Sequence, residues 1–180
     1  MRFRIVVLIV AALAVRADVR NCECDAAKPE TLQARECSLC REALEQPAGA
    51  PVFFLKDNNP IKPNRWLALP REHFASNNPL SAMTPSERAD LWDAAIGKAR
   101  DLWGNDWAIA MNGDLSRTQC HPHVHIGKLL PGNESDNAIY VDKPSDIPVP
   151  KDGAGLWFHP LEGSLHVHEG AQINETVLMR

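Results

Sequence analysis

Cys120-His121-Pro122-His123-Val124-His125-Ile126 is the most informative stretch of the sequence, because three histidines occupy alternate positions in it. Successive side chains of an extended strand point to opposite faces, so the three imidazoles are predicted to share one face. Neutral imidazole can attack phosphorus, accept a proton or bind a metal, and its ordinary pKa of about 6.5 keeps it largely neutral near pH 7. The pattern therefore predicts a reactive or metal-binding surface rather than a solvated strand edge.

A hairpin and one long helix are predicted upstream of the histidines. Val52–Leu55 and Arg65–Leu69 are apolar runs separated by a turn-rich segment, which is typical of two paired strands. Thr84-Pro85-Ser86-Glu87 combines a helix N-cap, a proline at the first helical position and a capping-box glutamate. Apolar residues then recur at helical spacing as far as Gly104, which marks the end of the helix.

The remaining elements complete an α+β pattern. A shorter helix is predicted from Pro29 to about Gln46, and the histidine strand from about Gln119 to Leu129. Further strands are predicted at Trp107–Met111, Leu156–His159, Ser164–His168 and Glu175–Leu178. Strands with one long helix between them favour an α+β domain over a doubly wound parallel sheet.

The first 17 residues have the features of a secretory signal peptide. Arg2 and Arg4 precede the apolar run of residues 5–15, and Val15-Arg16-Ala17 supplies small residues suited to cleavage after Ala17. The apolar run is shorter than the roughly 20 residues of an ordinary spanning helix. The sequence predicts an exported protein, periplasmic or secreted, and retention of residues 5–15 as a membrane anchor stays an alternative.

Length and charge limit the remaining possibilities. The whole chain has 19 basic and 23 acidic residues, and loss of residues 1–17 would leave 16 basic residues and a formal charge of −7. Such a surface disfavours nucleic acid as a partner. The rest of the chain suffices for one domain, predicted as a linker over residues 18–28, a catalytic domain over 29–130 and a C-terminal extension over 131–180 packed on it.

Five cysteines, Cys22, Cys24, Cys37, Cys40 and Cys120, follow the signal segment. Disulfides are the default interpretation in an oxidising compartment, and the odd count leaves at least one cysteine unpaired. Cys37 and Cys40 lie one helical turn apart, which is also a metal-ligand spacing.

His121-Pro122-His123-Val124-His125-Ile126 resembles the signature of the histidine triad superfamily of nucleotidyl hydrolases and transferases. Pro70-Arg71-Glu72-His73 is similar to its Pro-x-x-His element and Asn112-Gly113 to its phosphate-binding turn, so the resemblance covers roughly residues 35 to 130. Met111 to His121 is most similar to the CDP-diacylglycerol pyrophosphatases, which are exported or membrane-anchored. The resemblance implies an antiparallel sheet of about five strands, one long helix, a shorter N-terminal helix and possible homodimers.

The resemblance also implies roles for individual residues. His123 would be the nucleophile that forms a nucleotidyl-histidine, His125 would hold the phosphoryl oxygens, and Thr118 would donate to the bridging oxygen. Asn112 and Arg117 would bind the phosphate. Transferase members that resemble galactose-1-phosphate uridylyltransferase have glutamine where this chain has His125, so histidine there favours hydrolysis.

The expected activity is therefore hydrolysis of a nucleotide diphosphate ester, with CDP-diacylglycerol cleaved to CMP and phosphatidate as the preferred substrate. A nucleotide or nucleotide-lipid partner and peripheral membrane contact follow from this expectation.

Zinc is a second expectation drawn from the resemblance. Cys37, Cys40, His73 and His121 match the ligand set of zinc-containing superfamily members, and two thiolates with two imidazoles would close a structural site. The alternative is a disulfide that joins Cys22 or Cys24 to Cys37 or Cys40.

Other functions remain open from sequence alone. The chain could be a non-catalytic exported protein that holds zinc or copper with the histidine strand and the cysteines, or a redox protein based on Cys37 and Cys40. His166-Val167-His168, with His159 nearby, is interpreted as an exposed C-terminal strand in preference to an extension of the active cleft or a second metal site. Asn174-Glu175-Thr176 matches a glycosylation sequon, a pattern too common to carry weight.

Overall fold

The computed structural model of the protein describes residues 19, 22–72, 79–134 and 137–180. Its centre is one antiparallel sheet of seven strands in the order β1-β2-β4-β3-β6-β7-β5. The strands are Val52–Lys56 (β1), Trp66–Pro70 (β2), Ala108–Met111 (β3), Val124–Gly127 (β4), Ile139–Val141 (β5), Leu156–Leu161 (β6) and Ser164–Glu169 (β7).

The α+β class and the antiparallel sheet are confirmed, but the expected number of about five strands is wrong. The C-terminal residues account for the difference. β6 pairs with β3, β7 pairs with β6, and β5 pairs with β7. Residues 131–180 therefore extend the sheet itself. β5 was missed because its three residues are too few to show a period.

Three α-helices are described: Ser38–Glu45 (α1), Pro79–Ala82 (α2) and Pro85–Trp103 (α3). The capping box of Thr84 and Glu87 starts α3 as predicted, and Gly104 ends it with a φ of 63°. The helix predicted from Pro29 is only partly present, because Ala34 has an extended backbone. Short 3-10 turns replace its first part, and regular helix begins at Ser38.

The main core lies between α3 and one face of the sheet. Trp92, Ala95 and Ile96 on α3 are buried with Ile126 and Phe158 of the sheet, and the rings of Trp92 and Phe158 meet edge to face at 5.4 Å. Burial of these large apolar side chains is the main source of stability at this interface. α3 therefore covers one sheet face, and the buried histidines lie on the opposite face.

The histidine strand is shorter than predicted. Pairing in β4 starts only at Val124, so His121 and His123 precede the strand. The segment before them is held by the N-terminal region instead, since the Cys120 amide donates to the carbonyl of Glu36 at 2.8 Å. Gln119 is tied there as well, because its side-chain oxygen accepts from the hydroxyl of Ser38 at 2.8 Å.

The C-terminal segment crosses the sheet face opposite α3. The strand predicted at Glu175–Leu178 is a 3-10 turn at Glu175–Val177, followed by a single bridge between Leu178 and Leu129. Val177 and Leu178 pack on Ala108, Ala110 and Trp157. This segment brings Glu175 next to β4.

Two predictions fall on undescribed parts of the chain. The signal segment, including the apolar run of residues 5–15, and His73 lie outside the described residues. Within the described residues, no helix has the length and apolar character needed to cross a membrane.

Candidate active site

His123 and His125 line a cavity of about 490 Å³ on the sheet face opposite α3. Three further predicted site residues, Asn112, Arg117 and Thr118, line the same cavity. The structure therefore brings together all the residues to which a catalytic or substrate-binding role was assigned.

His123 is oriented by a backbone carbonyl. Its Nδ1 lies 3.0 Å from the carbonyl oxygen of His121, which can only accept a hydrogen bond. Nδ1 therefore carries the proton in the neutral ring, and the lone pair is on Nε2. Burial lowers the pKa of His123, with the hydrogen bond to His121 opposing, so the ring is neutral at pH 7.

His125 lies beside His123, with ring centroids 5.1 Å apart in an edge-to-face arrangement. Burial, followed by the neighbouring His123, lowers the pKa of His125 to about 3. Its Nδ1 is buried and makes no hydrogen bond to any described residue. A neutral ring with an unsatisfied polar atom is suited to contact a bound ligand.

Glu175 is the main site residue that sequence reasoning missed. Its Oε2 lies 2.5 Å from Lys62 Nζ, 3.0 Å from Arg65 and 3.7 Å from His125 Nδ1. Burial opposes ionisation of Glu175, but His125, Lys62 and Arg65 outweigh it and lower the pKa of the carboxyl. Lys62 and Arg65 lie within ion-pair distance of the Glu175 carboxylate whether or not His125 is charged. No motif could reveal this group, because it joins residues more than 100 positions apart in the chain.

Asn112 holds Glu175 in place. Its Oδ1 accepts from the backbone amides of Asn174 at 2.8 Å and Glu175 at 3.1 Å. The oxygen of Asn112 is therefore engaged by the C-terminal segment, and its positioning of Glu175 is a role that the sequence did not indicate. Asn174 is only 1% exposed and donates to Met111 O at 2.9 Å, so the sequon pattern at Asn174 marks a buried structural residue.

Arg117 is a buried cation with a carboxylate partner. It donates to Asp114 Oδ1 at 3.0 Å and to the carbonyl of Cys120 at 3.4 Å. Burial lowers the pKa of Arg117, and it raises that of Asp114 against the opposing charge of Arg117. Arg117 thus fixes the loop before the histidines while still adding positive charge at the cavity. Thr118 is exposed at the same cavity.

Several charged side chains give the cavity its electrostatic character. The cavity lining contains more cations than carboxylates. The cations are Arg35, Arg41, Lys62 and Arg117, and the carboxylates are Asp57 and Glu175. Arg41 donates to the carbonyl of Leu32 at 3.0 Å, and no ion pair engages Arg35 within the described part of the chain. This balance favours an anionic ligand.

The cysteines form one disulfide and one group of three sulfurs. Cys22 is bonded to Cys120, directly before the histidines. Cys24 lies within disulfide distance of both Cys37 and Cys40, as in the disulfide arrangement that stood as the alternative to zinc, whereas Cys22 does not join this pair. One sulfur cannot form two disulfides. The same three sulfurs also form a possible metal-binding group among the described residues.

His121 does not join that sulfur group. Its ring is fully buried near Phe53, and its Nε2 lies 2.7 Å from the carbonyl oxygen of Pro70. Among the described residues, the third member of the possible metal group is Cys24 and not His121. The zinc ligand set expected from the resemblance is corrected to this extent, and His73 is not described.

No protein-family model matches this chain and no curated protein matches it significantly, so the chemistry of the cavity is inferred from its own side chains. The cavity holds a neutral imidazole with a fixed tautomer, a second neutral imidazole beside it and an excess of cations. These groups are suited to nucleophilic attack on an anionic centre such as phosphorus.

Proposed function

We propose that the protein is an exported phosphoanhydride hydrolase of the histidine triad type. The preferred substrate is CDP-diacylglycerol, cleaved to CMP and phosphatidate through a nucleotidyl-histidine on His123. The observation that carries the proposal is the hydrogen bond from His123 Nδ1 to the His121 carbonyl at 3.0 Å. It leaves Nε2 as the nucleophilic atom of a neutral ring in a cation-lined cavity.

The proposed reaction has two displacements. Nε2 of His123 attacks the phosphorus that carries the nucleoside, a P–N bond forms and the bridging P–O bond breaks. Phosphatidate leaves as an anion, with the Thr118 hydroxyl donating a hydrogen bond to the departing oxygen, and it takes any further proton from solvent. Water then attacks the phosphorus, the P–N bond breaks and CMP is released, while the proton lost by the water passes to solvent and His123 returns to its neutral form.

The neighbouring residues support both displacements. His125 offers an N–H to a phosphoryl oxygen, and Arg117, Lys62 and Arg35 supply positive charge as negative charge spreads over the equatorial oxygens. A volume of about 490 Å³ is within the range of small-ligand sites. It suits the nucleotide diphosphate portion, with the acyl chains outside in a membrane surface.

Export is supported by the Cys22–Cys120 disulfide, because such bonds persist in oxidising compartments. It agrees with the signal-like pattern of residues 1–17. The disulfide ties the N-terminal region to the residue directly before His121.

A substrate panel tests the activity. The protein is incubated with CDP-diacylglycerol, dinucleoside polyphosphates, nucleoside phosphoramidates and UDP-sugars, and nucleoside monophosphate release is measured. We expect the fastest release from CDP-diacylglycerol, and His123→Ala to lose activity by about 10³-fold or more because it lacks the nucleophile. Rapid acid-free quenching and mass spectrometry should detect a nucleotidyl adduct in the wild type only.

Arg100→Ala is a control that also removes one side chain, from the exposed surface of α3 on the other side of the sheet. It should retain wild-type turnover, and unfolding curves should show that His123→Ala is folded. Absence of turnover with every substrate, or full turnover in a folded His123→Ala, would overturn the proposal. Metal bound by His123 and His125 without turnover would favour the alternative of a zinc- or copper-binding protein.

We further propose that Cys24, Cys37 and Cys40 hold a structural zinc ion. Three thiolates from separate turns suit zinc, and no single disulfide accounts for all three sulfurs. Alkylation without reductant distinguishes the two arrangements. Zinc predicts three thiols that react only after chelation, together with one released zinc ion per chain. A disulfide predicts one reactive thiol before chelation and no released zinc, and that result would overturn the zinc proposal.

A further inference from the structure

A second histidine cluster lies on the same sheet face, opposite α3, toward its β7 side. His159 on β6 pairs in register with His166 on β7, and His168 lies two residues further along β7. Residues paired across antiparallel strands, and residues two apart on one strand, share a face. The three imidazoles therefore point to the same side of the sheet.

Glu134 approaches all three imidazoles from the loop between β4 and β5. Its Oε2 lies 2.5 Å from His159 Nε2, and its Oε1 lies 3.5 Å from His166 Nδ1 and 3.5 Å from His168 Nε2. The ligand atoms of Glu134, His159 and His168 all lie within 4.8 Å of one another. Four groups from three segments thus converge on one small volume.

The imidazoles are buried although the carboxylate is not. His159, His166 and His168 are 4%, 5% and 6% exposed, and the side chain of Glu134 is 43% exposed. This overturns the expectation of an exposed C-terminal strand. His166 Nδ1 is buried and makes no hydrogen bond to the described residues, whereas His159 Nε2 is in short contact with the Glu134 carboxylate.

Aromatic side chains fix the orientation of the rings. Trp157 stacks on His168 with centroids 3.8 Å apart and planes 6° apart, and it also lies parallel to His159 at 5.5 Å. Tyr140 meets His166 edge-on at 4.2 Å. Ring orientation that is set by packing is a typical feature of sites organised before their ligand binds.

We propose that Glu134, His159 and His168, with His166 as a fourth ligand, bind a divalent first-row transition-metal ion such as Zn²⁺ or Co²⁺. Imidazole nitrogens suit these ions, whereas Ca²⁺ and Mg²⁺ prefer ligand sets built from oxygen. A bound cation would satisfy the buried His166 Nδ1, and it would place positive charge beside the Glu134 carboxylate that the rings surround.

An ion-pair cluster without metal accounts less well for the same group. A single carboxylate can balance one imidazolium, but charging all three buried rings would be costly, since the ring centroid of His159 lies 5.4 Å from that of His166 and 6.1 Å from that of His168.

This site is separate from the proposed hydrolytic cavity. His125 and His168 belong to one row of paired residues across the sheet, in which Ala110 and Trp157 stand between them. Three strand spacings separate the two histidines, roughly 14 Å. Val177 and Leu178 pack over the intervening residues, so one ion cannot serve both clusters.

Cobalt binding to the full-length protein tests the inference. We expect one Co²⁺ per chain with the weak visible bands of nitrogen and oxygen ligands, distinct from the intense near-ultraviolet charge-transfer absorption of any ion on the sulfurs. Glu134→Gln should weaken this ion's affinity about 10-fold and His159→Gln about 100-fold, because each loses a ligand. Glu162→Gln, an exposed carboxylate in the turn between β6 and β7, is the matched control with wild-type affinity.

A second measurement covers the case in which His159→Gln fails to fold. Saturating Zn²⁺ should raise the unfolding temperature of the wild type and of Cys37→Ser, and should raise that of Glu134→Gln less. Absence of a nitrogen- and oxygen-ligated ion in the wild type, or an unchanged affinity in Glu134→Gln and His159→Gln, would overturn the inference. Neither readout depends on hydrolysis, so failure here leaves the proposed function untouched.

Discussion

The sheet face opposite α3 carries two clusters of histidines that are buried to a similar degree. One consists of His123 and His125, and the other of His159, His166 and His168. Their charged neighbours differ. Glu175, the acid beside the first cluster, is shared with Lys62 and Arg65, whereas no described cation pairs with Glu134 beside the second. Surplus positive charge favours an anion at the first cluster, and a carboxylate surrounded by imidazoles favours a cation at the second.

The comparison shows that a row of histidines does not by itself define a site. Burial lowers the pKa of His123 and His125 in the first cluster and of His159 and His168 in the second, and the carboxylates brought in by the tertiary structure then distinguish the two sites. Glu175 arrives from the C-terminal turn, and Glu134 from the loop before β5.

Replacing Glu175 should have the largest effect, because Glu175 is the carboxylate that balances the cations of the first cluster. Glu175→Gln leaves the buried Arg65 and Lys62 without their carboxylate, and we expect a loss of about 1–3 kcal/mol in the free energy of unfolding. Turnover should fall roughly tenfold, about 1.4 kcal/mol, because the uncompensated cations disturb His125. Urea unfolding and steady-state kinetics measure the two effects. Glu162→Gln should change neither, and equal losses in both variants would contradict the role given to Glu175.

A pH titration sharpens the comparison at the first cluster. Burial lowers the pKa of His123 and of His125, the latter to about 3, whereas the unfolded chain titrates near 6.5. Below pH 6.5 the unfolded state therefore binds more protons than the folded state. The free energy of unfolding should fall as the pH falls from 6.5, by up to about 1.4 kcal/mol per pH unit for each histidine.

His125→Gln is the matched variant for this titration, because it removes one of the two buried rings and keeps a polar side chain. Its unfolding free energy should depend less steeply on pH between 6.5 and 5 than that of the wild type. Hydrolysis by the wild type should continue below pH 6.5, since burial keeps His123 neutral there. A stability that rises toward acid, or an unchanged slope in His125→Gln, would be incompatible with neutral buried rings.

The sequence predicted those features that local patterns determine. The β1–β2 hairpin, the capping box of α3 and the β6 and β7 strands were all visible as local signals of period and turn chemistry. The same holds for the histidines of the cavity, which are adjacent in sequence. The extent of β4 was overestimated because alternation continues through His121 and His123 while strand pairing does not.

Long-range contacts account for what the sequence could not predict. Glu175 reaches Lys62 across 113 positions, and Asn112 is engaged by amides more than 60 positions away. The second cluster was underestimated for a related reason. The alternation of His166 and His168 cannot distinguish an exposed strand from one buried under a loop that carries Glu134.

The smallest expected effect concerns the charge balance of the cavity itself. Arg35 is an exposed cation of the cavity lining, and Arg100 is an exposed cation on α3 beyond the opposite sheet face. Exposed charges interact weakly in water, so Arg35→Ala should raise KM for a nucleotide diphosphate ester by roughly two- to fivefold with little change in kcat. The increase should shrink at high salt, because screening weakens the lost attraction. Arg100→Ala carries the same change in net charge, and an equal rise in KM for both variants would show that overall charge, and not the cavity, attracts the substrate.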